Sequence, residues 1–330
     1  MKKISIIATG LVVGTLATLA VLAATPALAQ VDKYPAKPIR FLQPFAAGSG
    51  PDIITRYVVK RMSDRLGQPV IVDNKVGASG LLAMHELAKA PPDGYTLSYT
   101  NIAIAVSQEL LDKGAFSLKR DVTPIGGMSY SINVLVVAPN LPAKDVPELV
   151  ALLKTRPGAY SYASGGNGTP AHLNGEIFKR VNNLDVVHVP YKGLGPAITD
   201  VSRGDVHFMF GISSSVVPAI RGKLLRALAV AGDKRLPALP DVPTMAEAGF
   251  GGNDVRSWSG LIAPPNTPPA VVARLAQALR EVLADPATSA FLENSGNQPA
   301  QLNTVEFGRL LATESDRWER FVRETGLKSD

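Results

Sequence analysis

One stretch decides how the rest of the chain is interpreted: Ser164-Gly165-Gly166-Asn167-Gly168-Thr169-Pro170. It follows a short apolar run and precedes a helical pattern, so it has the composition of a turn that leads from a strand into a helix. Proline fits the first turn of a helix because the N–H that it lacks would have no partner there, and Thr169 is placed to cap that helix. Three further junctions are built in the same way, at residues 44–52, 76–80 and 190–196, the first with Ser49 as its candidate cap.

Around these junctions, short runs rich in valine, isoleucine and phenylalanine alternate with helical patterns. The predicted strands are residues 38–43, 69–74, 95–100, 132–138, 160–163, 186–189, 206–210, 225–231 and 257–263. Apolar residues at helical spacing predict a helix over 52–66, and further helices are predicted at 270–284, 287–293 and 305–322. This alternation indicates an α/β protein with mainly parallel sheets, in which only helices follow the last strand.

The length of the chain predicts two domains. A mature chain of about 300 residues is too long for one comfortable hydrophobic core. We place the domain boundaries near Ser131 and Arg256, so that residues 30–131 and 256–330 form the first lobe and residues 132–255 form the second. The C-terminal helices then wrap the first lobe. The chain crosses between the lobes twice, which predicts a hinge beside a ligand cleft.

Residues 1–29 have the pattern of a signal peptide. Lys2 and Lys3 precede an apolar stretch, and Ala27-Leu28-Ala29 forms a small-x-small cleavage site. The alternative is an uncleaved anchor, since the stretch approaches the ~20 residues that span a bilayer. Pro26 interrupts it just before the small residues and favours cleavage. Because the chain has no cysteine, disulfides, thiolate metal sites and a lipidated cysteine are excluded, and we expect a protein free in the periplasm.

Charge and loop chemistry both favour a small acidic ligand. The formal charge of +6 falls to +4 without Lys2 and Lys3, and no basic run of the kind that binds nucleic acids is present. A helix N-terminus leaves backbone N–H groups unpaired and carries about half a positive charge, and glycine lets a ligand approach it closely. Two lobes that each present two such loops to one cleft can hold a carboxylate between them. The alternative is that these glycines form ordinary turns and bind nothing.

The remaining motifs do not favour nucleotide binding, hydrolysis or a metal site. Residues 166–171 fit the dinucleotide pattern G-x-G-x-x-A, but the stretch His188-Val189-Pro190-Tyr191-Lys192, at the end of the next strand, has no acid for the ribose hydroxyls. No G-x-S-x-G or S-x-x-K occurs, and none of the four histidines has metal-ligand spacing with a neighbour. His172, in a first helical turn, either faces the cleft or caps its loop. Asp52 would repel a carboxylate, so we expect it to organise its own loop.

Motifs along almost the whole mature chain carry a family resemblance. In the first half they are Tyr34-Pro35-x-Lys37-Pro38-Ile39-Arg40, Pro44-Phe45-x-x-Gly48-Ser49-x-x-Asp52, Arg65-Leu66-Gly67-Gln68-Pro69-Val70 and Pro92-Asp93-Gly94-Tyr95-Thr96-Leu97. In the second half they are Tyr162-Ala163-Ser164-x-Gly166-x-Gly168-Thr169-x-x-His172, Val189-Pro190-Tyr191-Lys192-Gly193, Gly222-Lys223-Leu224-Leu225-Arg226-Ala227 and Leu239-Pro240-Asp241-Val242-Pro243-Thr244-x-x-Glu247-Ala248-Gly249. In their order and number these motifs resemble the Bug-type solute-binding proteins of the tripartite tricarboxylate transporter family.

The resemblance implies two Rossmann-like lobes that close over one small organic acid, without a metal or a cofactor. It implies a binding protein, and not an enzyme, that delivers its ligand to the membrane subunits of a transporter; we expect it to be a monomer. Family members hold di- and tricarboxylates, acidic amino acids and aromatic acids through main-chain groups, short polar side chains and water. Carried over to this chain, the expected ligand-binding residues are Phe45, Ala46, Ala47, Ser49, Gly50, Ser79, Asn101, Ser164, Asn167, Gly168, Thr169, His172 and Gly211.

Two loops depart from the family pattern. Asn101 is followed by apolar residues 102–106 in place of the usual glycine or Asn-Pro, and residues 211–214 lack the acid or amide that is frequent there. We expect both loops to face the distal end of the ligand. Their apolar character favours a monocarboxylate, or a dicarboxylate with an apolar body, over a citrate-like ligand.

Two other functions are compatible with a periplasmic binding fold. One is a ligand-sensing subunit for a receptor kinase, and the other is an uncharacterised periplasmic enzyme. Neighbouring genes separate transport from sensing, because transport needs a large and a small membrane protein whereas sensing needs a kinase.

Overall fold

The structure of the chain is a computed structural model that describes residues 34–112, 114–251 and 257–325. The predicted signal peptide, residues 1–29, and the predicted boundary at Arg256 lie outside these ranges. None of the helices within the described ranges combines the length and the apolar character needed to span a bilayer.

The first sheet has six strands. They are β1 (Ile39–Gln43), β2 (Val70–Asn74), β3 (Thr96–Asn101), β4 (Thr123–Ser131), β10 (Ser257–Ala263) and β11 (Asn297–Pro299), in the spatial order β11-β4-β10-β3-β1-β2. The strands β1, β2 and β3 run parallel to one another, whereas β10 runs antiparallel to both β3 and β4. The sheet is therefore mixed.

The second sheet has five strands. They are β5 (Asn133–Val137), β6 (Ser161–Ser164), β7 (Val187–Pro190), β8 (Phe208–Ile212) and β9 (Arg226–Ala231), in the spatial order β7-β6-β8-β5-β9. Only Ile132 separates the end of β4 in the first sheet from the start of β5 in the second. The chain returns to the first sheet between β9 and β10.

Ten α-helices lie within the described ranges. They are α1 (Gly50–Leu66), α2 (Leu81–Ala88), α3 (Ile102–Leu110), α4 (Val146–Thr155), α5 (Pro170–Asn182), α6 (Leu194–Arg203), α7 (Ser213–Arg221), α8 (Pro269–Leu283), α9 (Pro286–Asn294) and α10 (Thr304–Thr325). Each of the four glycine-rich junctions leads into a helix, as predicted: α1, α5 and α6 directly, and α2 through the short 3₁₀ turn Ala78–Gly80.

Helices cover both faces of each sheet, so the structure consists of two α/β units, each with its own hydrophobic core. On the first sheet, α1 and α8 pack on one face, and α3 and α10 pack on the other, where Trp258 and Trp318 are fully enclosed. On the second sheet, α4 and α5 pack on one face, and α6 and α7 on the other. The prediction of two α/β lobes with C-terminal helices wrapping the first is confirmed.

The prediction of mainly parallel sheets is wrong. Among the described strands, four pairings are parallel and five are antiparallel. The antiparallel pairings all involve the strands that connect the sheets, β4, β5 and β10, or their neighbours. The sequence did not predict β4 because Pro124, Gly126 and Gly127 interrupt its apolar pattern, and such residues argue against a strand interior. It did not predict β11 because that strand has three polar or proline residues only.

Candidate ligand-binding site

A cavity of ≈ 320 Å³ lies where the loops of the two sheets meet, and we call it the cleft cavity. Its residues from the first sheet and its helices are Ser49, Gly50, Pro51, Ile54, Tyr99, Ser129, Ser131 and Asn297. Its residues from the second sheet and its helices are Leu194, Gly195, Ile212, Ser214 and Ser215. The size falls at the lower end of small-molecule sites, which hold about 300 Å³ or more.

Three helix N-termini meet at the cleft cavity. Gly50 begins α1, Leu194 begins α6, and Ser214 is the second residue of α7; all three line the cavity. The first-turn N–H groups of a helix have no intrahelical acceptor, and each N-terminus carries about half a positive charge. None of the described side chains that line the cavity is charged. This combination favours an anion bound by backbone N–H groups and hydroxyls.

The Ser49 hydroxyl is one side-chain group of the cavity wall that can donate to such an anion. Ser49 occupies the N-cap position of α1, as predicted, but its side chain makes no capping hydrogen bond. One reason is Pro51, which lacks the backbone N–H from which an N-cap side chain would accept a hydrogen bond. The buried Ser49 Oγ has no hydrogen-bond partner among the described residues. A buried hydroxyl of this kind carries a desolvation cost that a ligand can relieve.

The Asp52 carboxylate organises the first loop, residues 44–52, through hydrogen bonds. Asp52 is buried and accepts hydrogen bonds from the Gly48 N–H (2.8 Å), Arg56 Nε (2.8 Å) and Asn74 Nδ2 (2.9 Å). Burial by itself raises the pKa of Asp52, but the hydrogen bonds from Arg56, Asn74 and Gly48 outweigh it and hold this pKa below its ordinary value. The prediction that Asp52 organises its loop is confirmed.

Tyr99 adds a neutral hydroxyl to the cavity wall. Its ring is almost completely buried and meets the Phe45 ring edge-on, with 5.8 Å between centroids. Burial raises the pKa of Tyr99 to about 12, although hydrogen bonds with Ser259 and Asn101 act in the other direction. The phenol therefore keeps its proton and is able to donate it in a hydrogen bond. The predicted residue Phe45 supports this wall from behind, whereas Ala46 and Ala47 are exposed.

Several polar groups of the third loop, residues 164–170, bond within the loop or to the strand beside it. The Ser164 hydroxyl lies 2.7 Å from His188 Nε2 and accepts from the Gly166 N–H. The Thr169 hydroxyl donates to the Gly166 carbonyl oxygen at 2.6 Å. We predicted that this side chain caps α5, but it makes no capping hydrogen bond. The loop does not line the cleft cavity; it packs near α3, since a Cβ at Gly168 would contact Val106 and Leu110.

His172 takes the second of the two roles that the sequence left open. Its ring is 3% exposed, and Nδ1 accepts a hydrogen bond from the Gly168 N–H at 3.1 Å. The ring also stacks on His188, with 4.2 Å between centroids. His172 therefore holds the loop in shape from inside.

The other predicted site residues lie in several places. Ser79 is exposed in the 3₁₀ turn, and Asn101 caps α3 by accepting from the Ile104 N–H at 3.3 Å. Asn167 is half-buried in the third loop. Gly211 lies inside β8, where a Cβ would overlap Val216, so packing requires glycine there.

The expectation that apolar residues 102–106 face the distal end of the ligand stays a prediction. All five are buried; Ile102, Ile104, Ala105 and Val106 belong to the core beneath the first sheet, and Val106 also lies near Gly168 of the third loop. The other departing loop does reach the cleft cavity, through Ile212 and Ser214.

Sequence reasoning missed several residues of the cavity. Ser129, Ser131 and Asn297 come from β4 and β11, the two strands that the sequence did not predict. Ser215, in the first turn of the helix after β8, was also missed, although the loop 211–214 that we expected to face the ligand ends one residue before it.

The fold and this cavity define a two-lobed solute-binding protein of the periplasmic type. Residues 54–327 match the model of the tripartite tricarboxylate transporter family receptor. The chain belongs to this family. Its matched relatives are solute-binding proteins, so the chain is a binding protein and not an enzyme.

Individual relatives agree with this assignment. The protein BugT of Bordetella pertussis (strain Tohama I) is 33% identical over 318 residues, which cover 95% of this chain and 98% of BugT. The structure of R. palustris Rpa4515 with adipate is 30% identical, with a TM-score of 0.80, and the match covers 89% of this chain and 99% of that one. The structure of MatC (Rpa3494) from Rhodopseudomonas palustris with bound malate is 31% identical, with a TM-score of 0.77, over 88% of this chain and 100% of that one.

Proposed function

We propose that this protein is exported to the periplasm, binds one small organic carboxylate in the cleft cavity and delivers it to the membrane subunits of a tripartite transporter. The observation that carries the proposal is that three helix N-termini and the Ser49 hydroxyl, which has no hydrogen-bond partner among the described residues, meet at a cavity whose described lining holds no charged side chain. Adipate in Rpa4515 and malate in MatC support a carboxylate as the ligand class.

The ligand contacts divide between the two sheets. The first sheet offers the α1 N-terminus, Ser49 and Tyr99, and the second offers the N-termini of α6 and α7. A carboxylate bound between them interacts favourably with both sides only when the two sides are close. Binding thus stabilises the closed arrangement over an open one.

Closure would be a hinge motion between lobe 1 (residues 30–131 and 256–330) and lobe 2 (residues 132–255). The support for this division is that β4 and β5 are separated by Ile132 alone and that the return connection lies between β9 and β10. With only two chain crossings between them, the lobes are free to rock about these connections. Small-angle scattering with and without saturating acid tests this part: an unchanged curve contradicts it.

A thermal-shift screen of organic acids, followed by calorimetric titration, tests the binding function. At 100 times its dissociation constant, a ligand adds about 2.7 kcal/mol of stability. The neutral methyl ester or amide of each acid is the matched control, because it keeps the shape but loses the charge. We expect stabilisation by an acid at one equivalent, no stabilisation by its neutral analogue, and full recovery of the acid after incubation. If no acid stabilises the protein, the proposal is wrong.

Export and delivery need a separate test. Mass spectrometry of protein recovered from the periplasm should show a mature chain that begins near Gln30. Uptake of the labelled acid should require this chain together with the membrane subunits encoded beside it. If the neighbouring gene encodes a receptor kinase and uptake does not depend on the chain, the sensing function replaces delivery.

A further inference from the structure

Helix α5 contributes side chains to the hydrophobic cores of both sheets. Phe178 lies in the core of the second sheet, to which α5 belongs. Leu173, on another side of the same helix, is fully buried in the core beneath the first sheet, and Ile177 packs against that core one turn further on. Every other described member of this core comes from the first-sheet unit, including Trp318 of α10. We call the packing of Leu173 and Ile177 against the first-sheet core the α5 contact.

Contacts on either side of Leu173 extend along the same boundary. Before α5, the third loop approaches α3 so closely that a Cβ at Gly168 would lie 3.7 Å from Val106 Cγ1. Near the end of α5, Arg180 Nη2 lies 3.6 Å from Glu324 Oε2 of α10. Both of these charged side chains are about half exposed, so this ion pair contributes little. The apolar residues therefore supply most of the attraction between α5 and the first-sheet unit.

The α5 contact joins the same two sheet edges as the cleft cavity. Strands β6, β7 and β8 run parallel, so the third loop, which follows β6, lies at the edge where Ile212 and Leu194 line the cavity. In the first sheet, α1 and α3 follow the parallel strands β1 and β3, and Gly50 at the start of α1 lines the cavity. A hinge motion that separates these edges opens the cavity and also draws α5 away from the first-sheet core.

We propose that the α5 contact is a latch that closes together with the cleft and holds part of the unliganded protein in the closed arrangement. It thereby sets the ligand affinity without touching the ligand. This inference rests on the proposed function, because it assumes that the lobes close over an acid in the cleft cavity.

The physical basis of the latch is the burial of apolar surface. The closed arrangement buries Leu173, whereas an open one exposes it to water, which is unfavourable. The apparent affinity of a ligand scales with the fraction of the protein that is already in the binding-competent arrangement. A side chain that favours closure therefore lowers the apparent dissociation constant.

Calorimetric titration of Leu173→Ala, in the whole mature protein, is the test. The probes are adipate, malate and the acid that stabilises the parent most in the thermal-shift screen. We expect the affinity to fall about fivefold or more, because the variant loses much of the apolar contact that favours closure. If this variant does not fold, Ile177→Ala replaces it; because Ile177 is only half-buried, it should weaken binding about threefold.

Leu149→Ala is the matched control for the loss of a buried leucine. Leu149 is also fully buried, but it lies in a core whose described members all come from the second-sheet unit. Its replacement should lower the melting temperature and leave the affinity within about twofold of the parent, since it does not change the fraction of closed protein.

Spin-label distances follow the latch directly. The chain has no cysteine, so Arg180→Cys and Glu324→Cys place one label on each side of the contact. We expect two populations of distance in the unliganded protein. Addition of the acid should favour the shorter distance, and Leu173→Ala should favour the longer one.

The outcomes separate the latch from the binding function. If Leu173→Ala binds the acid as tightly as the parent, or more tightly, the inference is overturned while the proposed function stands. If no acid binds the parent, the proposed function falls and the label distances decide the inference. A single distance that Leu173→Ala leaves unchanged then overturns the latch as well.

Discussion

The first and third loops are alike in sequence but differ in what their polar groups do. Both are glycine-rich turns that lead from a strand into a helix with a proline in its first turn. In the first loop a buried carboxylate, Asp52, braces the turn from behind, and the Ser49 hydroxyl has no described partner. In the third loop, Ser164, Thr169 and His172 all bond within the loop or to a strand beside it.

The difference shows what separates a binding loop from a structural turn. Glycines and a helix N-terminus are common to both, so they do not by themselves distinguish the two. A hydrogen-bond donor that the fold leaves unused is the additional feature, and it is present at Ser49. The comparison predicts that changes in the third loop affect stability more than ligand affinity, and that Ser49 shows the reverse.

The largest expected effect on stability comes from Asp52→Ala. It removes the acceptor of three hydrogen bonds, from the Gly48 N–H, from Arg56 and from the Asn74 amide, which should lower the free energy of unfolding by about 3 kcal/mol. Urea denaturation measures this difference. Asp64→Ala, at an exposed position on the same helix, is the control and should change it by less than about 0.5 kcal/mol.

The same variant has a pH dependence with a definite sign. Because the pKa of Asp52 lies below its ordinary value of 3.8 in the folded protein, its contribution is present above that pH and is lost as the pH falls through the folded pKa. The difference between the parent and Asp52→Ala should therefore stay constant from neutral pH down to about pH 4 and shrink below it. A difference that already disappears between pH 7 and pH 5 contradicts this account of the first loop.

A smaller loss of stability is expected from His172→Leu. The variant keeps much of the side-chain volume but removes the acceptor of the buried Gly168 N–H, which should cost about 2 kcal/mol. His85→Leu is the control, because it breaks a more exposed contact with Asp112 that is worth less than about 1 kcal/mol. Thermal unfolding measures both. An unchanged melting temperature with a tenfold loss of ligand affinity would place the His172 ring at the ligand.

The smallest effect is expected from Thr169→Ala. One neutral hydrogen bond to the Gly166 carbonyl oxygen is lost, which should cost about 1 kcal/mol of stability. Thr155→Ala is a matched control, since its hydroxyl also donates to the carbonyl three residues earlier, at the same 2.6 Å. We expect the Thr169 variant to bind the acid within about twofold of the parent. A tenfold loss would move the site to the third loop.

Much of the fold could be predicted from the sequence because the residues of each glycine-rich junction determine its backbone geometry locally. Pro51 and Pro170 mark the helix starts, and Ser49 and Thr169 were correctly placed at the N-cap positions. The fate of their hydroxyls could not be predicted, because it depends on the acceptors that the folded loop provides. Thr169 finds the Gly166 carbonyl oxygen, whereas Ser49 finds no described partner.

The cavity wall was harder to predict for a different reason. Ser129 and Ser131 lie on β4, whose pairing with β10 compensates for glycines that lower its intrinsic strand preference. Asn297 lies on a three-residue strand that forms only against β4. Both strands depend on contacts between residues more than a hundred positions apart. No local sequence pattern predicts such contacts.

Calorimetric titration of Ser49→Ala tests the central claim most directly, with the acid that binds the parent most tightly as the probe. Loss of one hydrogen bond to a charged ligand should weaken binding by a factor of about 10 to 150. The melting temperature of the unliganded variant should not fall, because the hydroxyl has no described partner to lose. Ser79→Ala, an exposed serine in the second loop, is the control and should bind within about twofold of the parent. An affinity of Ser49→Ala within twofold of the parent would contradict the assignment of the carboxylate to the cleft cavity.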